Sequence, residues 1–206
     1  MTDIDAVLDL APVIPVLVID RVEDARPIAE ALVAGGLPAL EVTLRTPAAL
    51  DAIREMRKVP GAMVGAGTVL DEVQLRAAMR AGAQFIVSPG LTEELGVAAS
   101  EAGVPFLPGI ANAGDIMRAR DLGLSRVKFF PAVAAGGLPA LRALAAVFGD
   151  FRFCPTGGIT QDTASDWLGE SAVACVGGSW LAPRGEVPDG QAIAARARAA
   201  ATLRKS

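Results

Sequence analysis

Short apolar runs rich in Val, Ile or Phe recur along this 206-residue chain at near-constant spacing. They begin at Val13 (VIPVLVI), Ala39 (ALEVTLR), Met63 (MVGAGTV), Gln84 (QFIVSPG), Val104 (VPFLPGI), Arg126 (RVKFFP), Phe151 (FRFCPTGG) and Ala172 (AVACVGGSW). That makes eight runs, with consecutive starts 20 to 26 residues apart. Between them lie Ala-, Leu- and Arg-rich stretches of helical period, such as EDARPIAEALVAGG and DEVQLRAAMRAGA. Several of these end in glycine (Gly35, Gly82, Gly103, Gly123), as helix C-caps do. Strand–helix alternation repeated eight times with short loops calls for parallel strands joined by right-handed crossovers. The expected fold is α/β: a compact (β/α)8 TIM barrel, one domain spanning residues 1–206. DIDAVLDLAP predicts a short N-terminal helix under the barrel, and AIAARARAAATLRKS the last helix. An open doubly wound sheet is the rival. However, no strand leads into a G-x-G-x-x-G fingerprint, and VGAGTV holds only its first half.

Composition removes whole classes of function. The chain has no His and no Tyr, so the Ser-His triad and His-based metal sites are excluded. Acid/base chemistry must use carboxylates, lysine, cysteine, water or the substrate itself. A net charge of −4 gives no basic footprint for nucleic acid or an anionic membrane. No apolar run approaches the roughly 18 residues that a bilayer demands. The opening MTDIDAVLDL is acidic where a signal peptide is basic, which argues against secretion. Cys154 and Cys175 lack C-x-x-C spacing and read as buried free thiols that only pack. A cytoplasmic protein without metal or cofactor is the expectation.

One lysine stands out. The chain has three lysines against sixteen arginines. Lys58 lies at a helix end and Lys205 in the terminal LRKS, both in solvated contexts, whereas Lys128 sits in the middle of the apolar SRVKFFPAV. A buried ammonium is costly unless it is paired or gives up its proton, and only lysine can do the latter. The plain alternative is a structural lysine that snorkels outward or pairs with an acid.

Other polar residues fall at the C-terminal ends of the strands, where barrel enzymes keep their reacting groups. The second run carries Glu41, Thr43 and Arg45, which a period of two points the same way, opposite to Leu40, Val42 and Leu44. The third run ends in Thr68, the seventh in Thr156, Gly157 and Gly158, and the eighth in Gly177, Gly178 and Ser179. Each has a plain structural role open to it: Glu41 and Arg45 as an interior ion pair, the threonines as strand formers, the glycines as turns.

Together they make a sharper pattern. A desolvated lysine near another cation can shed its proton and attack a ketone. The iminium so formed draws electrons from the neighbouring carbon, so that a C–C bond breaks to leave an enamine. Glu41 can pass protons at each stage, and Arg45 can grip a carboxylate with two prongs. The glycine turns after the last two strands occupy the usual barrel phosphate site. These residues suit a substrate with a 2-oxo acid at one end and a phosphate at the other.

EVTLRT, GAGTV, SPGLTEEL, PFLPGI, VKFFPA, FCPTGGI and GGSWL occur in order. Over about residues 8 to 185 the chain resembles the 2-keto-3-deoxy-6-phosphogluconate (KDPG) aldolase family, which includes 4-hydroxy-2-oxoglutarate aldolases. The resemblance implies a metal-free class I aldolase that cleaves KDPG to pyruvate and D-glyceraldehyde 3-phosphate, usually as a homotrimer. By motif, Lys128 would form the Schiff base and Glu41 would be the acid/base. Arg45 and Thr68 would hold the pyruvyl carboxylate, and Pro89 and Phe130 would line the pocket. Gly157, Gly158, Gly178 and Ser179 would receive the phosphate. Thr156 resembles the form associated with the gluconate rather than the galactonate epimer. Two places depart from the family pattern: Val133 stands where an acidic residue is common, and ANAGD (Ala111–Asp115) replaces a Thr-Pro-type helix start. The nearest alternative substrate is 4-hydroxy-2-oxoglutarate, giving pyruvate and glyoxylate, and oxaloacetate decarboxylation is a conceivable side activity. A non-catalytic sugar-phosphate sensor is a further alternative, but it would have no need to keep the lysine, acid and arginine together.

Overall fold

The structure, a computed structural model, describes residues 3–203; Lys205 and the end of the last expected helix lie outside them. Every apolar run contributes strand. The first three give β1 (Val13–Leu17), β2 (Ala39–Thr43) and β3 (Met63–Gly67), and the fourth gives the short β4 (Ile86–Val87). The fifth gives two strands, β5 (Phe106–Leu107) and β6 (Gly109–Ile110), because Pro108 between them has no N–H for the ladder. The remaining runs give β7 (Arg126–Phe129), β8 (Arg152–Phe153) and β9 (Val176–Gly178). All pairings are parallel, as the crossover argument demands. The hydrogen-bonded ladders form a six-stranded sheet, β5-β4-β3-β2-β1-β9, and a three-stranded one, β6-β7-β8. Isolated parallel bridges pair Phe153 with Val173 and Thr156 with Gly177. The mixed α/β class is as expected. A single continuous eight-strand ladder is not what the backbone forms.

The helices between strands are α1 (Ile4–Leu8), α2 (Val22–Ala34), α3 (Ala49–Met56), α4 (Glu72–Ala81) and α5 (Glu93–Glu101), followed by α6 (Ala113–Asp121), α7 (Gly137–Val147), α8 (Ala164–Leu168) and α9 (Gly190–Ala201). Asp71, Thr92, Asn112 and Asp189 cap α4, α5, α6 and α9 through side-chain oxygens that accept from first-turn amides. Each such cap contributes about 1 kcal/mol. The departure at ANAGD is therefore locally neutral. Asn112 accepts from the Asp115 amide at 3.1 Å, and the Asp115 carboxylate accepts from the Ala111 amide at 2.9 Å. At the C-termini the glycine signals are only partly as read. Gly82 (φ 100°) is a left-handed cap on α4, but after α2 the left-handed residue is Gly36 (φ 91°) and not Gly35. Gly35 serves packing instead, since a Cβ there would stand 2.3 Å from Ala197 Cβ of α9.

Two apolar layers follow from strand alternation. Leu40 and Val42 of β2 face the helices and join the larger core with Val64, Ala66 and Ile53. Ala39 faces the other way, into a smaller cluster with Ile14, Phe85, Leu107, Cys154 and Cys175. Val7 and Leu8 of α1 belong to that inner cluster, as expected of a helix under the sheet. The two free thiols are buried there, their sulfurs 3.5 Å apart. Glu41 and Thr43 share the Ala39 side of β2 and so lie on the inner face, above this floor. Among the described residues no helix is long and apolar enough to cross a membrane.

Candidate active site

Lys128 and Glu41 meet on that inner face. The ammonium Nζ donates to Glu41 Oε1 at 2.9 Å and to Oε2 at 3.3 Å, and the residues are 5% and 3% exposed. Among the described residues this is the sole ion pair with both partners buried; the others lie at least partly in solvent, where each contributes about 0–1 kcal/mol. A buried pair is a poor stabiliser, because desolvating two charges consumes most of the attraction. Its presence on the inner face points to chemistry. Lys128 donates its backbone N–H to Pro108 O at 2.8 Å, which fixes the side chain at the junction of the two sheets. Nζ also lies 5.4 Å from the centre of the Phe130 ring, which covers it from the strand end. The sequence reading set an arginine beside the lysine; the group within ion-pair reach of Lys128 is the Glu41 carboxylate instead.

Neighbouring segments close in around the pair. Gly109 stands in register with Lys128, and a Cβ there would lie 2.2 Å from both C and O of Pro89. Pro89, half-buried at the end of the fourth run, thus reaches the strand next to the lysine. Thr43 is tied down by its hydroxyl, which donates to Leu17 O at 2.9 Å. Thr68 follows β3 with φ 58°, left-handed backbone that costs a β-branched residue about 1–3 kcal/mol. Arg45 lies just beyond β2, exposed, and its guanidinium has no hydrogen-bond or ion-pair partner among the described residues. It is a cation left available for something other than the protein.

Further along the strand ends, Gly157 (φ 104°) and Gly158 (φ 79°) form a left-handed turn beside the segment after Lys128. Val133 N donates to Gly157 O at 3.1 Å, and a Cβ on Gly158 would lie 2.8 Å from Val133 Cβ. Val133, the second departure from the family pattern, therefore serves as a wall of this turn. Thr156 is buried and bridges to Gly177, whose missing side chain leaves space for the Thr156 hydroxyl. Gly178 is covered by the Trp180 ring, and Ser179 is exposed. Among the described residues nothing accepts from the amides of Gly158 or Ser179. Left-handed glycines can turn backbone amides towards an anion.

This arrangement combines a buried amine, a proton acceptor in contact with it, an unpaired arginine and a glycine turn. The family model for KDPG and KHG aldolase matches residues 4–196. The chain belongs to that family. The 2-dehydro-3-deoxy-phosphogluconate aldolase of Zymomonas mobilis is 57% identical over 206 residues, covering 100% of this chain and 99% of its own. The crystal structure of the 2-keto-3-deoxy-6-phosphogluconate aldolase of Zymomonas mobilis with 3-phosphoglycerate matches at TM-score 0.97 and 57% identity, covering 99% of this chain and 97% of that one. The KDPG aldolase of Legionella pneumophila, solved with pyruvate captured at low pH as a covalent carbinolamine intermediate, matches at TM-score 0.94 and 43% identity. Those chains overlap over 98% and 99% of their lengths.

Sequence reasoning overlooked two residues that shape the site, Gly65 and Gly67. They were visible as the G-x-G of VGAGTV, whose spacing of two puts both on one face of β3. Read as half a dinucleotide fingerprint, the pair carried little; read as small residues facing Glu41, it marks where side chains must come close.

Proposed function

We propose that the protein is a class I aldolase that cleaves 2-keto-3-deoxy-6-phosphogluconate to pyruvate and D-glyceraldehyde 3-phosphate. The observation that carries this reading is the buried Lys128–Glu41 contact of 2.9 Å on the inner face of the sheet. Glu41 can take the ammonium proton directly along that contact, leaving an amine that attacks the C2 ketone. Glu41 returns that proton to the carbinolamine hydroxyl, which leaves as water, giving an iminium and a Glu41 carboxylate ready to accept again. Loss of the C4 hydroxyl proton, taken by Glu41 through a water, then breaks the C3–C4 bond. The electron pair moves into the iminium, and glyceraldehyde 3-phosphate departs as the aldehyde. Protonation of the enamine at C3 and hydrolysis of the imine release pyruvate and restore Lys128. Arg45 and Thr68 would hold the pyruvyl carboxylate, the first as an unpaired cation and the second as a strained residue of the kind that clusters at binding sites. Pro89, Phe130 and Thr156 would shape the pocket around the carbon chain. The free amides of Gly158 and Ser179, with Gly157 and Gly178, would receive the phosphate.

The same machinery suits 4-hydroxy-2-oxoglutarate, and the family description covers both substrates. The free amides favour the phosphorylated one. The wider reading includes one domain over residues 1–206 whose strands close into a (β/α)8 barrel. It is supported by the single-residue break between β5 and β6 and by the bridges from Phe153 to Val173 and Thr156 to Gly177. A homotrimer working in the cytoplasm completes it.

The test is a cleavage assay on purified protein, with and without EDTA. Pyruvate and glyceraldehyde 3-phosphate should appear in equal amounts at the same rate in both. Activity lost to the chelator and regained with a divalent metal would contradict the imine route.

A further inference from the structure

We propose that Gly67 is a positioning residue: the space left by its missing side chain seats the Glu41 carboxylate against Lys128 for proton transfer. The inference rests on reading Lys128 and Glu41 as the imine-forming and proton-transferring pair. In the β2–β3 register, Glu41 stands opposite Gly65 and Thr43 opposite Gly67. A side chain crossing directly from Glu41 would lie over Gly65. That space is taken: a Cβ on Gly65 would stand 2.4 Å from the ring of Phe85, which is fully buried. The carboxylate lies one step further along the strand, over Gly67. A Cβ there would stand 2.1 Å from Glu41 Oε1, 2.6 Å from Cγ and 2.7 Å from Cδ. The three nearest atoms all belong to Glu41. From this seat Oε1 reaches Nζ at 2.9 Å.

Backbone conformation gives no other reason for glycine here. Gly67 is not among the residues with left-handed φ, so an alanine could adopt its backbone geometry. Space alone forbids it. To regain ordinary contact, near 3.5 Å, the carboxylate would have to move by about 1 Å or more, away from Lys128 or off its line of hydrogen bonding. A displacement of that order at a reacting group costs about 100-fold in rate. The two glycines of β3 thus divide the inner face: Gly65 admits the Phe85 ring that blocks one path, and Gly67 admits the carboxylate.

The experiment compares Gly67→Ala, Glu41→Gln and the double variant. In G67A, KDPG turnover and exchange of the pyruvate methyl protons in D2O should both fall about 100-fold. Borohydride should still trap pyruvate on Lys128, which a general collapse of the site would prevent. The double variant should be no slower than E41Q, because both changes remove one proton transfer. Turnover of G67A within threefold of the parent, loss of trapping, or effects that multiply in the double variant would each overturn the proposal. Should G67A fail to fold, G67A/E41A should be as stable as E41A, since the obstructing atoms are gone; a double variant as unstable as G67A would overturn it equally. The functional reading itself stands or falls separately, on whether Lys128→Arg retains turnover.

Discussion

Lys128→Arg should reduce KDPG cleavage on the order of 10,000-fold or more while the protein remains folded. Arginine keeps a positive charge opposite Glu41, so the buried carboxylate is not left alone. Removing one partner outright would cost about 3–5 kcal/mol of stability and confuse loss of fold with loss of chemistry. What arginine cannot do is lose its proton and become a nucleophile. A protein that used Lys128 only for its charge, whether to pin the two sheets together or to hold an anion, would tolerate the exchange. Steady-state cleavage, read beside a thermal melt of the same sample, separates the cases.

Glu41→Gln should leave imine formation possible but slow every proton transfer around it. The amide has nearly the shape of the carboxylate, and its carbonyl oxygen can still accept from Nζ, so the side chain should keep its seat over Gly67. It can neither take a proton from Lys128 nor return one to the enamine. General acid/base catalysis of this kind contributes about 100- to 10,000-fold, and the loss should fall in kcat rather than in KM. Exchange of the pyruvate methyl protons in D2O, followed by NMR, reports this step without the aldehyde half of the substrate. If E41Q exchanges as fast as the parent, the proton is carried by another group, and the contact of 2.9 Å is only structural.

Much of this site was legible in the sequence because strand alternation is a strong constraint. Lys128 stood out as a lysine embedded in apolar strand, and Glu41 followed from the alternation of EVTLR, which decides the face each β2 residue takes although all five are buried. The alternation misled at its end: β2 stops at Thr43, so Arg45 follows a bend and lies exposed rather than on the same interior row as Glu41. That Lys128 and Glu41, placed in one site by the sequence, touch directly was not legible. Glu41 is 87 positions away, and which strands face one another is settled by how the sheets curl, not by local pattern. The split of the fifth run at Pro108 and the transfer of the left-handed turn from Gly35 to Gly36 are local choices. The first came from ladder bonding and the second from the packing of α2 against α9. The anion site depends on which amides are left without acceptors, a property that appears only once every neighbouring hydrogen bond is assigned.

The central claim is that Lys128 is buried in order to form an imine. The most direct measurement is to incubate the protein with pyruvate and borohydride and map the adduct by mass spectrometry. The account predicts one reduced pyruvyl group, on Lys128, and none on the exposed Lys58, whose ammonium donates to Glu55 at 2.6 Å. An unmodified Lys128 would contradict it, as would an adduct spread over the chain's other lysines, and the buried pair would then be a structural one.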